Sequence, residues 1–244
     1  LLSASAYNIS SMRRHSRSAF AAIIFTAALL LAVFWIHEVG LTVTLVPSPP
    51  LPAEVTELPG FALASFSRML AAYLISFLFS LAYGYTAATH PRAERIMLPI
   101  LDVLQSIPIL GFFPAAVIFF VNLFEGSRFG VELASVFLIF TSQAWNMTYA
   151  IYESLKAIPL DLEDATGVYG LNGWRRFARL EFPATIPKLV YNSMLSWAGG
   201  WYFLIAAEII TLGPVNYSLP GLGSFLARTA AEGRVDLTIA GLVT

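Results

Sequence analysis

The chain has 244 residues, of which 57% are hydrophobic and only 12% charged, about half the charge that a soluble globular surface carries. Those proportions exclude a disordered chain and a small secreted scaffold, and a formal net charge of −1 supplies no field to attract nucleic acid. With no cysteine, disulfides, zinc–thiolate sites and thiol catalysis are excluded as well.

The bilayer is therefore the expected solvent, and a crossing helix needs about 20 apolar residues. Uncharged stretches between ionisable residues supply the candidates. In chain order they are Ser18–Ile36, Met69–Thr89, Val103–Phe124, Leu133–Tyr152 and Leu189–Ala207. The first is expected to stay as an anchor, because its apolar run is longer than that of a signal peptide. Ile209–Ala227 also lacks charge, but Gly213-Pro214 and Pro220-Gly221 interrupt it, so a loop with a short helix is expected there. The closing run from Leu237 reads as a sixth helix cut short, and the sequence is expected to continue beyond it. The fold class is thus all-α, a multi-pass bundle of about five full spans plus the start of a sixth.

Lysine and arginine counts orient the bundle. A cytoplasmic N-terminus puts Arg13, Arg14, Arg17, Arg92, Arg95, Lys156, Arg175, Arg176, Arg179 and Lys188 inside. Only Arg68, Arg128, Arg228 and Arg234 then fall outside.

The segment 153–188 is the long polar loop on the inner side. Asp161, Glu163 and Asp164 follow Pro159, where a helix can start and acids oppose the positive end of its dipole. Gly167, Gly170 and Gly173 mark a break, and a second helix is expected from Gly173 to Glu181, ending before Pro183 and Pro187. Glu163, Arg175, Arg176 and Arg179 are candidates for contact with a partner or with anionic lipid headgroups.

Ionisable groups within spans are costly and face a cavity or a partner. Glu208, at the outer end of the fifth span, either lines the pathway or pairs with Arg228 or Arg234. Asp102 is expected to be solvated or paired with Arg95, and Glu132 to pair with Arg128 at i,i+4. Asn146 and Ser196 belong to a set of polar residues at helical spacing that line a path or hydrogen-bond between helices. Pro108, Gly111 and Pro114 are expected to kink or interrupt the third span, and Gly199-Gly200 to allow a close helix crossing. His15, His37 and His90 lie far apart in sequence, so no metal site is expected.

The loop carries a spaced pattern: Asp164-Ala165-Thr166, three residues, Gly170, nine residues, then Leu180, Glu181 and Phe182-Pro183. It resembles the cytoplasmic signature of binding-protein-dependent ABC-importer permeases, Glu-Ala-Ala, three residues, Gly, nine residues, Ile, one residue, Leu-Pro. Spacing agrees throughout, and the residue type departs at four places. Gln105-Ser106-Ile107-Pro108 and Gly221-Leu222-Gly223 resemble the nitrate, sulfonate and taurine branch. Ser196-Trp197-Ala198-Gly199-Gly200-Trp201 resembles a group of duplicated anion permeases, in which two units are fused.

The resemblance, over roughly Phe61 to Thr244, implies the type I importer bundle with 61–244 as the permease core, while the apolar run and charge distribution assign residues 1–60 to a cytoplasmic tail, the anchor and an outer loop. It implies that Asp164, Ala165, Thr166, Gly170, Leu180, Phe182 and Pro183 engage a cytoplasmic ABC ATPase dimer. A second permease unit, an extracytoplasmic solute-binding protein and the lipid bilayer are the other implied partners, with a small anion as solute and the inner membrane as location. The phosphate-cradling pattern Gly-x-x-x-x-Gly-Lys-Ser/Thr is absent from the sequence. No catalytic residue or bound cofactor is therefore expected, and ATP would be consumed on the partner. The alternative is a carrier or channel driven by an ion gradient, with Glu208 as the ion-linked group.

Overall fold

The computed structural model describes residues 54–124, 127–212 and 215–244. The expected anchor Ser18–Ile36 lies outside the described residues, as does residue range 37–53 of the outer loop. A 3-10 turn, Val55–Glu57, leads into α1 (Leu58–Thr89), followed by α2 (Pro91–Ser106), α3 (Ile109–Leu123), α4 (Arg128–Lys156) and α5 (Leu160–Val168). A short α6 (Trp174–Arg176) runs through a π turn, Phe177–Glu181, into α7 (Phe182–Glu208). A hairpin follows, β1 (Ile209–Leu212) and β2 (Val215–Ser218), antiparallel with Ile209 opposite Ser218. The chain then forms α8 (Leu222–Ala231) and α9 (Val235–Val243).

Helix α4 is the centre, packed between α1, α3 and α7. Its alignment with α1 holds one offset: Arg68 meets Glu132, Ser76 donates to the Phe140 carbonyl, and Ser80 donates to the Ala144 carbonyl, each pair 64 residues apart. Two helices sharing a constant offset run parallel, so the chain must return between them through α2 and α3. The face of α1 that meets α4 includes Ala72, Ser76, Ser80 and Gly84, all buried. Leu63, Phe66, Leu70, Leu74, Ile75 and Leu78 point outward and are exposed. Small residues inside and large apolar ones outside invert the order of a water-soluble helix. That order suits a bilayer, where close backbone approach rather than water exclusion drives association. Bulkier side chains fill the rest of the interior, such as Phe113, Val117 and Val121 of α3 against Val131, Ala134 and Leu138 of α4. Met69 and Ala72 likewise pack on Ile139 and Leu204.

The third expected span is not one helix. It breaks at Ile107-Pro108, and α2 meets α3 at 97°. Proline 108 lacks an N–H and drives Ile107 into an extended conformation, φ −76° and ψ 127°. Pro114 sits inside α3 without ending it. Five full spans are not confirmed by length and apolarity. Among the described residues, Val55–Thr89 qualifies alone and the α2–α3 pair qualifies jointly. Helices α4 and α7, with 29 and 27 residues, reach about 43 and 40 Å at 1.5 Å per residue, but buried polar residues lower their apolarity.

The second loop helix also departs from expectation. It does not stop before Pro183 and Pro187, because the π turn carries the chain straight into α7, with the Phe182 N–H donating to the Phe177 carbonyl. A π turn widens the helix just where Pro183 lacks its donor and its ring would crowd the preceding turn.

Candidate functional site

The α5 end of the bundle holds the loop singled out by its spacing. Pro159 caps α5 with φ −60° and ψ 140°, and Asp161 and Glu163 fill the first turn. The helix closes in a Schellman motif: the Leu171 N–H donates to the Thr166 carbonyl at 2.8 Å and the Gly170 N–H to the Gly167 carbonyl at 3.2 Å. That motif places Gly170 in the left-handed region, φ +62°, which explains the glycine. A Cβ there would meet nothing within 4 Å, so the requirement is backbone conformation and not space. Gly173, φ +49°, then opens the second helical piece.

The two arms of this elbow are tied by Arg176, which donates through Nε to Glu181 Oε1 at 2.8 Å and through a terminal nitrogen to Glu163 Oε1 at 3.3 Å. The Tyr85 hydroxyl donates to the other oxygen of Glu181 at 3.0 Å, and the Tyr85 ring meets Phe177 edge-on at 5.4 Å. The elbow is therefore fixed to the end of α1. Glu163 and Arg176, expected to reach outward, are engaged within the chain. Thr166 is buried and donates to the Glu163 carbonyl. Asp164, Arg175 and Arg179 are exposed and make no ion pair among the described residues. Leu180 and Phe182 are half-buried and Pro183 is exposed at the α7 start. Ala165 is half-buried. Sequence reasoning missed the apolar rim: Leu160, Val168 (85% exposed), Tyr169 and Trp174 (76% exposed) all point away from the bundle.

The hairpin end holds an ion-pair hub. Arg68, 6% exposed, donates through Nε to Glu132 Oε2 at 2.5 Å and through Nη2 to Glu132 Oε1 at 2.8 Å. Its Nη1 reaches Glu208 Oε1 at 2.8 Å and the Pro220 carbonyl at 2.9 Å. Glu208 is fully buried and also accepts from Ser65 Oγ at 2.6 Å and from the Gly223 N–H at 2.7 Å. Ser65 Oγ accepts in turn from the Leu222 N–H at 2.9 Å. Each buried charge thus has several hydrogen-bond partners, the condition under which a buried ion pair is tolerated.

This hub corrects two expectations. Glu208 pairs with Arg68 and not with Arg228 or Arg234; Arg228 pairs with Glu232 and Arg234 lies 3.7 Å from Asp236. Glu132 pairs with Arg68 and not with Arg128. Delimiting spans at charges placed Arg68 outside, whereas α1 begins ten residues earlier at Leu58. A lone arginine inside an apolar helix was the available signal, since such a residue needs acids from neighbouring helices.

Between the two ends, Ser196 is buried and donates to the Gln143 carbonyl at 3.0 Å, joining α7 to α4. Asn146 is exposed on α4. Asp102 is exposed, in keeping with the solvated alternative, and accepts from the Tyr149 hydroxyl without pairing with Arg95. Gly200 is the close-crossing glycine, where a Cβ would stand 2.7 Å from Met69 Cε; Gly199 faces open space.

The described residues thus form a helical bundle with one short hairpin, an apolar exterior along α1 and a braced elbow at one end. The sequence profile of the binding-protein-dependent transport system inner membrane component family matches residues 79–243, more than half of the chain, and the protein belongs to that family. It is 26% identical over 164 residues to the bicarbonate transport system permease protein CmpB of Synechocystis sp., covering 67% of this chain and 54% of that protein. It is 24% identical over 163 residues to the nitrate import permease protein NrtB of Leptolyngbya laminosa, covering 67% and 53%. It is also 24% identical over 155 residues to a probable ABC transporter permease protein of Brucella melitensis biotype 1, covering 63% and 59%. The chain spans about half the length of these curated relatives. The family is a transport component of the inner membrane and not an enzyme.

Proposed function

We propose that this chain is the transmembrane permease subunit of an ATP-binding cassette importer, and that it moves a small anion across the cell membrane. The carrying observation is the elbow. Its helix is closed by the Gly170 motif, braced to α1 through Glu181 and Tyr85, and presents Leu160, Val168, Tyr169 and Trp174 outward. A rigid projection with an apolar rim and unpaired Asp164, Arg175 and Arg179 suits docking in the groove of a cytoplasmic ATPase dimer. Force applied there enters α1 and α7 directly. On this reading α4 and α7 also cross the bilayer, their polar residues satisfied between helices, and hydrolysis takes place on the partner. A second permease unit, fused or separate, completes the pathway, and an external binding protein delivers solute. Relatives named for bicarbonate and nitrate support an anionic solute.

The test is reconstitution with a cytoplasmic ABC ATPase dimer, a second permease unit and a solute-binding protein. ATP-dependent uptake of nitrate, bicarbonate or a sulfonate is the expected result. Uptake by this chain alone under an ion gradient would replace the importer with a carrier.

A further inference from the structure

The coupling role of the elbow leaves the hub at the other end of the bundle unused. Its contacts divide into two arms. Toward Glu132 the Arg68 guanidinium makes two N–H···O contacts, at 2.5 and 2.8 Å, between helices that are in register along their length. Toward the segment after the hairpin every contact is a single hydrogen bond to main chain: Arg68 to the Pro220 carbonyl, the Leu222 N–H to Ser65, and the Gly223 N–H to Glu208. The residues that approach Glu208 are glycines. A Cβ on Gly221 would collide with the Glu208 carboxylate, and one on Gly223 would lie 2.9 Å from its Oε2.

We propose that Arg68 and Glu208 are positioning residues of an outer latch: they seat Pro220–Gly223 on the ends of α1 and α7, and the outer mouth opens by releasing those main-chain contacts. Two features make the release reversible. No side chain has to be drawn off the carboxylate, because glycines lie against it, and of the seated segment Leu222 alone leaves an apolar contact, the cluster of Leu58, Phe61, Phe225 and Leu237. Glu208 also keeps Ser65 and Arg68 after the loop lifts, so no buried charge is left bare. The Glu132 arm meanwhile holds α1 to α4. The outer placement and the timing of release rest on the import reading; the seating of Pro220–Gly223 on Ser65, Arg68 and Glu208 does not.

Amide hydrogen exchange on the full chain with its ATPase in nanodiscs tests this. Slow exchange is expected at Leu222 and Gly223 at rest, accelerating on the order of tenfold or more in the complex trapped with ATP and vanadate, while α1 and α4 are unchanged. Ser65→Ala should speed Leu222 alone. Arg68→Gln should speed both amides at rest, and Arg68→Lys should restore part of the protection. Equal exchange in resting and trapped states overturns the latch. So does acceleration spread evenly over α1 and α4, which would mark a general stability role. Resting protection lost in Arg68→Gln, together with uptake that needs no ATPase, would overturn the import reading and leave the seating by Arg68 and Glu208 standing.

Discussion

Gly84 of α1 lies against the Thr148 carbonyl of α4 so closely that a Cβ would stand 2.8 Å from the oxygen and 3.1 Å from Ile151 Cβ. Backbone cannot yield as a flexible side chain can. Gly84→Ala is therefore expected to lower stability by about 1–3 kcal/mol, the usual cost of overpacking, and Gly84→Leu to prevent the helices from mating. Thermal unfolding in detergent measures both. Gly60→Ala, where a Cβ meets nothing within 4 Å, serves as the control.

At Gly170 the governing quantity is φ, because the space around it is open. Replacement by any L-residue costs about 1–2 kcal/mol in the left-handed region, with asparagine the best tolerated. Gly170→Asn should therefore retain more ATPase-coupled uptake than Gly170→Val, with membrane insertion unchanged in both. Equal coupling in all three proteins would argue against a required bend.

The two acids on Arg68 should differ sharply. Glu132 is 31% exposed whereas Glu208 is fully buried, so water can replace the first and not the second. Glu208→Ala leaves Ser65 Oγ and the Gly223 N–H without their acceptor and Arg68 Nη1 with the Pro220 carbonyl alone. It should cost about 3–5 kcal/mol, as expected when one partner of a buried pair is removed. Glu132→Ala should cost less. Chemical denaturation in mixed micelles ranks them, and the reverse order would contradict the burial argument.

Glu181 is the brace between elbow and bundle, accepting from both Arg176 and Tyr85. Its carboxylate is buried while Arg176 is partly exposed, so solvent weakens the pair without dissolving it. Glu181→Gln is expected to loosen the elbow by about 1–2 kcal/mol. Limited proteolysis between residues 157 and 177 should become faster, whereas Asp164→Asn, at an exposed residue with no ion-pair partner, should leave that rate unchanged.

Much of the architecture was legible because its signals are local. Pro159, the acids after it and the glycines at 170 and 173 foretold the elbow, since caps and left-handed residues act within a few positions. Pro108 foretold the break before α3 for the same reason. The hub was not legible: its pairs are 64 and 140 residues apart, and measuring uncharged runs treats every arginine as a boundary. The π turn was equally hidden, because two prolines read as a stop unless the widened turn that accommodates them is known. Ser196 left two readings open, an aqueous path or an interhelical hydrogen bond, because both give the same sequence signal; it makes the second, to the Gln143 carbonyl.

From Ala72 to Ala87 the fully buried side chains of α1 are all small while bulk lies outside, which reverses the usual map of mutational tolerance. Leu63, Leu70 or Leu78 can exchange for another greasy side chain without disturbing a buried contact within this chain. An added methyl group on the seemingly featureless serines and glycines opposite would be felt along the whole helix pair. Drift across related chains should accordingly run fastest along the oily exterior, and the plainest residues should be the most resistant to change.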